Sequence, residues 1–189
     1  FYEMLKDAVY VAPEEPTEPT EPALAEESSE TLAFNGATFH FAAGTYDFAE
    51  AAELTYNEVV TLEFIGGFDA SGNRDVEKNV TTFTGNKTHR VFVFGSEMQC
   101  KFDAINFVDG YAADKGGALS LSAGSWEFTN CNFSGNESVT GGGAIYFNSN
   151  GTATFENCDF TSNKSVGEDG LGGSIYCGTK TTNLVLTFN

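Results

Sequence analysis

Three segments of this chain align with one another residue for residue. Phe102-Asp-Ala-Ile-Asn-Phe-Val-Asp-Gly110 is followed by Gly116-Gly-Ala-Leu119, and Phe128-Thr-Asn-Cys-Asn-Phe-Ser-Gly-Asn136 by Gly142-Gly-Ala-Ile145. Phe155-Glu-Asn-Cys-Asp-Phe-Thr-Ser-Asn163 is followed by Gly172-Gly-Ser-Ile175. Both Phe positions recur at intervals of 26 and 27, and the Gly-Gly pairs at 26 and 30, the longer gap reflecting an insertion around Val166–Leu171. A weaker copy is Phe83-Thr-Gly-Asn86. A period in the twenties suits one coil of a parallel β-solenoid, with two or three short strands joined by corners.

Coils stack about 4.8 Å apart, so equivalent residues form ladders. Phe102, Phe128 and Phe155 make one expected inward stack, and Phe107, Phe133 and Phe160 a second. Ile105, Cys131 and Cys158 make a third. Stacked rings add about 0.5–1.5 kcal/mol per pair beyond burial. Asn136 over Asn163, with Asn86 below, suits an amide ladder at a corner. Gly-Gly-Ala gives a tight bend and a small first inward residue before Leu119, Ile145 and Ile175. About six coils fit between Thr31 and Asn189.

The residues before Thr31 have another texture. Pro13, Pro16, Pro19 and Pro22 are the chain's four prolines. Their period of three places them on one face of a polyproline II helix, and the glutamates between them favour extension. Residues 13–30 read either as a disordered tail or as a semi-rigid spacer between residues 1–12 and a β-helix domain over 31–189. The spacer carries Phe1, Tyr2, Met4, Leu5, Val9, Tyr10 and Val11, too apolar a set for a solvated tail. Phe1, Met4, Leu5 and Ala8 fit a helix face, whereas Ala8–Val11 reads as a strand. The segment wants a surface, on its own domain or on a neighbouring copy, where it would add a strand or cap an edge.

Composition narrows the function. The chain has 189 residues with 9 basic and 27 acidic side chains, a formal charge of −18. A nucleic-acid binder needs cations to displace counterions from phosphate, so that class is excluded as a reading. No stretch approaches the roughly 20 apolar residues of a membrane span. The chain opens on Phe1, which fits a processed leader or a trimmed end. Asn183-Leu-Val-Leu-Thr-Phe-Asn189 reads as one more strand with nothing after it to cap the solenoid, and a bare end of that kind is a template for another chain.

The search for chemistry returns little. Asp103 with Glu127, or Glu156 with Asp159, has the makings of a glycosidase dyad, but outward carboxylates on solenoid strands are usually solvated. Asp109, Asp114, Glu168 and Asp169 fit a hard cation or ordinary loop acids. We therefore assign no catalytic residue, metal ligand or cofactor. His40 and His89 read as surface and loop residues, and the register of Trp126 with Cys100 and Ala153 places it in the core. Cys131 and Cys158 stack in adjacent coils, within reach of a disulfide or as parallel thiols. Cys100 and Cys177 read as small core fillers. Six Asn-x-Ser/Thr sequons occur, at Asn79, Asn86, Asn132, Asn136, Asn150 and Asn163. Asn79 and Asn150, in loops, read as the better glycosylation acceptors.

The ordered pieces Phe-x-x-Asn and Gly-Gly-Ala-Leu/Ile resemble the repeat signature of the polymorphic outer-membrane protein family of chlamydiae and of related adhesin-like surface proteins. The double motif covers about residues 102–176. Phe41-Ala-Ala-Gly-Thr-Tyr46 resembles the opening coil of such proteins, and Phe64-Ile-Gly-Gly-Phe68 followed by Asn79-Val-Thr-Thr-Phe-Thr-Gly85 resembles their second and third. The resemblance implies an all-β, right-handed parallel β-helix that is secreted, on the cell surface or extracellular, and tied to adhesion. This sequence shows no membrane-barrel module, so autotransport and outer-membrane anchoring do not carry over. The expected function is an extracellular structural or adhesive protein whose partners are copies of itself, joined head to tail through residues 1–11 and the open β-helix end. The rival is a protein that binds or degrades surface glycans.

Overall fold

The structure, a computed structural model, describes residues 9–11 (backbone only), 35–48, 50–178 and 181–189. Phe1, Tyr2, Met4 and Leu5, and the proposed spacer over 13–30, lie outside the described residues. Residues 9–11 form β1 (Val9–Val11).

The remaining strands repeat in a fixed order. The first turn holds β2 (Ala37–Ala42), β3 (Gly44–Asp47) and β4 (Ala52–Leu54); the second holds β5 (Val60–Phe68), β6 (Thr81–Thr84) and β7 (Phe92–Phe94). The third comprises β8 (Met98–Asp103), β9 (Ile105–Val108), β10 (Tyr111–Ala112) and β11 (Leu119–Leu121). The fourth comprises β12 (Gly124–Thr129), β13 (Asn132–Ser134), β14 (Glu137–Ser138) and β15 (Ile145–Phe147). The fifth comprises β16 (Gly151–Glu156), β17 (Asp159–Thr161), β18 (Lys164–Ser165) and β19 (Ile175–Cys177), and β20 (Leu184–Phe188) opens the next. Equivalent strands pair in parallel into four sheets, the largest in the order β1-β2-β5-β8-β12-β16-β20. The chain is thus a parallel β-helix, and no helix occurs among the described residues.

Alternation of inward and outward residues builds each wall. In β2 the inward Ala37, Phe39 and Phe41 alternate with half-buried Thr38, His40 and Ala42, the period-two pattern of a strand covered on one face. Because the strands are in register, like falls on like. Phe64, Phe102, Phe128 and Phe155 stack at centroid spacings of 4.9, 5.3 and 4.9 Å, nearly parallel. Phe107, Phe133 and Phe160 form the second column at 4.9 and 4.8 Å. The column extends below these, through Phe83, to Tyr46. Burial of each such ring contributes about 1.5–3 kcal/mol. Trp126 lies between Cys100 and Ala153 and is 1% exposed, in the core as expected.

Corners repeat as faithfully as strands. Ala104, Asn130 and Asn157 carry φ of 56°, 52° and 51° at the same corner of successive turns, a conformation that Asn tolerates better than most residues. At the Gly-Gly corner Gly142 has φ of 64°, and a Cβ there would sit 2.2 Å from the Ile145 carbonyl oxygen.

Three expectations change. Phe64–Phe68 and Asn79–Gly85 lie in one turn, as β5 and β6, because residues 69–80 leave the wall as an excursion instead of making a corner. Its base is an Asp69 carboxylate that accepts the Ser71 and Asn73 backbone N–H groups. Asn86 is exposed and lies outside the amide ladder; the buried place below Asn136 belongs to Gly110, whose N–H donates to the Asn136 Oδ1. Cys177 is exposed, not buried filler: its register is the inward one, opposite Phe147, but no described residue covers it.

Candidate functional site

Of the residues expected to drive assembly, Val9, Tyr10 and Val11 are described, as backbone. They form a ladder antiparallel to β2, with Val9 opposite His40, Tyr10 opposite Phe39 and Val11 opposite Thr38. Every other ladder between named strands is parallel. The edge strand β2 presents a row of backbone donors and acceptors on the side away from β5, and β1 satisfies it. Val9–Val11 thus pair along the first turn of the described β-helix. Sequence left its destination open between its own domain and a neighbour.

The outer face of the largest sheet is polar. Lys101 lies in register between Glu63 and Glu127, and Gln99 between Thr61 and Ser125. These six residues line a shallow groove of about 150 Å³. Thr38 Oγ1 donates to Glu63 Oε2 at 3.0 Å, so the column continues to the β1 edge. The corner beside this face is clamped by the excursion. Arg74 pairs with Asp103 at 2.8 Å, donates Nε–H to the Gly66 carbonyl at 3.1 Å, and lies 5.9 Å from the Phe68 ring centroid. His40 stacks on that ring at 4.4 Å. Asp103 also accepts from Asn130 Nδ2, so half of the imagined Asp103–Glu127 dyad is occupied in holding structure.

Two of the loop acids are partnered in the same way. Asp109 pairs with Lys87 at 3.4 Å and Asp114 with Arg90. Glu168 and Asp169 are exposed. On another face Tyr146 and Tyr176 stack at 5.7 Å, with the Lys115 ammonium about 5 Å from both ring centroids (5.1 and 5.3 Å), a cation–π contact.

Cys131 and Cys158 occupy neighbouring turns and are free thiols. Their sulfurs point at backbone carbonyls, Cys131 at Phe102 and Thr129, Cys158 at Phe128 and Glu156. Burial pushes the Cys131 thiol well up, and its hydrogen bond to Cys158 holds that thiol down.

The sequons separate by what their amides do. Asn136 is fully buried; its Nδ2 donates to the Phe107 carbonyl at 2.9 Å and its Oδ1 accepts Gly110 N–H at 2.8 Å. Asn163 repeats the pattern on Phe133 and Asn136. Asn79 Nδ2 donates to Gly67 and Asn73, and Asn150 Oδ1 holds the Thr182 and Asn183 N–H groups. Asn132 keeps its Oδ1 shielded on the half-buried face. Asn86, exposed in its turn, is the freest of the six.

Residues 130–150 match the Chlamydia polymorphic membrane protein repeat. No curated protein and no solved structure matches the chain. The matched residues run from the Asn130 corner through β13, β14 and the Gly142-Gly143-Ala144 bend to β15 and just past it. They therefore hold one member each of the second Phe column, the amide ladder and the glycine corner. The resemblance read from the sequence stands on this repeat, which is that of a surface and outer-membrane protein family.

Sequence reasoning missed the Arg74 clamp and the edge that β1 selects. The clamp had a weak signal in Asp69-Ala-Ser-Gly-Asn73, a turn-forming stretch between two strand patterns. The edge had none, because edge choice depends on which strand is left unpaired.

Proposed function

We propose that this chain is an extracellular structural or adhesive surface protein that joins to copies of itself through its N-terminal segment. The observation that carries the reading is a β-helix that holds a surface-protein repeat at residues 130–150, with a strand from the far N-terminal segment laid along its first edge. Strand addition of this kind supplies affinity through main-chain hydrogen bonds and needs no dedicated pocket. A stacked solenoid suits the role mechanically, since each turn is stabilised by its neighbours and holds the outer faces in a fixed array.

Light scattering and electron microscopy of the full chain and of a form lacking residues 1–22 test the proposal. The full chain is expected to form oligomers that the shortened form does not. Two monodisperse monomers would sink self-assembly. A second reading, a glycan-binding surface, is supported by the polar groove around Lys101. Binding on a glycan panel that is lost in Lys101→Ala, with the oligomeric state unchanged, would favour it.

A further inference from the structure

We propose that Cys131 and Cys158 close into a disulfide that staples the fourth turn to the fifth under oxidising conditions. The two residues hold the same place in successive turns. Each follows a left-handed corner residue, Asn130 or Asn157, and each precedes a strand of one parallel ladder, in which Asn132 lies opposite Asp159. The Asp159 N–H donates to the Cys131 carbonyl at 3.1 Å, which fixes the register of the pair. Neighbouring turns lie about 4.8 Å apart, inside the Cα separation of about 4.4–6.8 Å that a disulfide spans.

Side-chain direction favours closure. Cys158 Sγ points at the Phe128 carbonyl, 3.4 Å away, so it leans toward the turn that holds Cys131. Cys131 Sγ leans in the same sense, onto the Phe102 carbonyl of the third turn at 3.5 Å. Closure therefore asks Cys131 to rotate toward the fifth turn and to release sulfur hydrogen bonds, which are weak. Only this pair of cysteines qualifies, because Cys100 lies opposite Leu62 and Trp126, and Cys177 opposite Phe147. Nor does packing ask for sulfur here, since Ile105 holds the equivalent place in the third turn.

Exposure orders the chemistry. Cys158 is half-buried while Cys131 is 1% exposed. The hydrogen bond with Cys131 lowers the Cys158 thiol and burial raises that of Cys131, so Cys158 ionises first. The oxidant is a small external disulfide, R–S–S–R. The Cys158 thiolate attacks it, forming Cys158–S–S–R and releasing one R–S⁻, which takes up the proton that Cys158 lost. Cys131 then attacks the Cys158 sulfur, and the second R–S⁻ leaves with the Cys131 proton. Two protein thiols are oxidised and one small disulfide is reduced to two thiols. In the cell the supply of oxidant rests on the extracellular reading above; the reaction itself does not.

The test uses the full chain in a Cys177→Ser background, which removes the exposed thiol. Folded protein is equilibrated with oxidised glutathione, remaining thiols are alkylated, and the chain is cut at glutamate without reduction. Glu137 and Glu156 lie between the two cysteines, so a link joins two separate peptides. The expected result is a Cys131–Cys158 link with Cys100 alkylated, no retained glutathione, and a melting temperature higher by about 6–12 °C. Cys131→Ala in the same background should instead stop at glutathione held on Cys158. Native protein that keeps both thiols alkylatable, or that keeps glutathione on Cys158 with Cys131 intact, would overturn the proposal. So would a link formed only in urea, or one that leaves the melting temperature unchanged. None of these results bears on the light-scattering comparison above, because neither cysteine lies on β1 or β2.

Discussion

Removal of one amide, Asn136→Ala, should cost this fold more than its size suggests. The side chain is fully buried and makes three hydrogen bonds: from Gly110 N–H, to the Phe107 carbonyl, and to Asn163 Oδ1 at 3.0 Å. Alanine leaves the Gly110 N–H and the Phe107 carbonyl unpaired where water does not reach. At about 1–3 kcal/mol for each stranded group, the loss is about 2–6 kcal/mol. With a urea m-value of about 2 kcal/mol/M, a 4 kcal/mol loss moves the midpoint by about 2 M. Trp126, the only tryptophan, is buried in the same turn and reports the transition by fluorescence. Asn163→Ala removes the equivalent bonds from a half-buried site, so water offsets most of the loss and about 1 kcal/mol is expected. Asn136→Asp adds a sign test. Burial raises the folded-state pKa of the new carboxyl above its unfolded value of about 3.9. The neutral acid is then favoured in the folded state, so the penalty shrinks as pH falls through the folded-state pKa and grows as pH rises. An Asn136→Ala midpoint within 0.5 M of the parent, or a smaller loss than for Asn163→Ala, would refute the ladder reasoning.

Other positions give independent checks. Phe128→Ala opens a gap between Phe102 and Phe155 and should lose about 3–5 kcal/mol in the same unfolding assay. Gly142→Ala meets both a left-handed φ and the Ile145 carbonyl, whereas Gly72→Ala meets the φ of 82° alone, in open space; the first should lower the melting temperature markedly more. Thiol titration of the native chain should find Cys177 first and Cys158 more slowly, with Cys100 and Cys131 reacting only on unfolding; fast labelling of Cys100 would contradict the packing. In a secretory host that modifies sequons, mass spectrometry of folded protein should find glycan at Asn86 and none at Asn136, whose amide the fold consumes.

The inward columns were legible because each is a local rule repeated: Phe102, Phe128 and Phe155 recur at the coil period, and a strand's alternation fixes which way they point. Cys131 and Cys158 were placed in neighbouring turns for the same reason. What sequence left open depended on neighbours it could not count. Asn86 carries the motif residue, but the ladder needs a partner in register above it, and that place is Gly110. Cys177 reads as inward and is inward, yet burial requires a covering turn. The 69–80 excursion hid because it interrupts a turn without breaking either strand pattern. β1 was recognisable as apolar but not as the partner of β2, since nothing local in Val9–Val11 names His40.

Near-identical turns raise a problem of their own: a turn can be mistaken for its neighbour while the chain assembles. The Phe columns offer no protection, because a slip by one whole turn sets Phe on Phe again. The column through Leu62, Cys100, Trp126, Ala153 and Leu186 does not repeat in this way. Its bulky indole fits between a thiol and a methyl, and a slipped stack would set it against a leucine or leave its place hollow. Trp126 is the uneven tooth that lets an otherwise repetitive key turn in only one position.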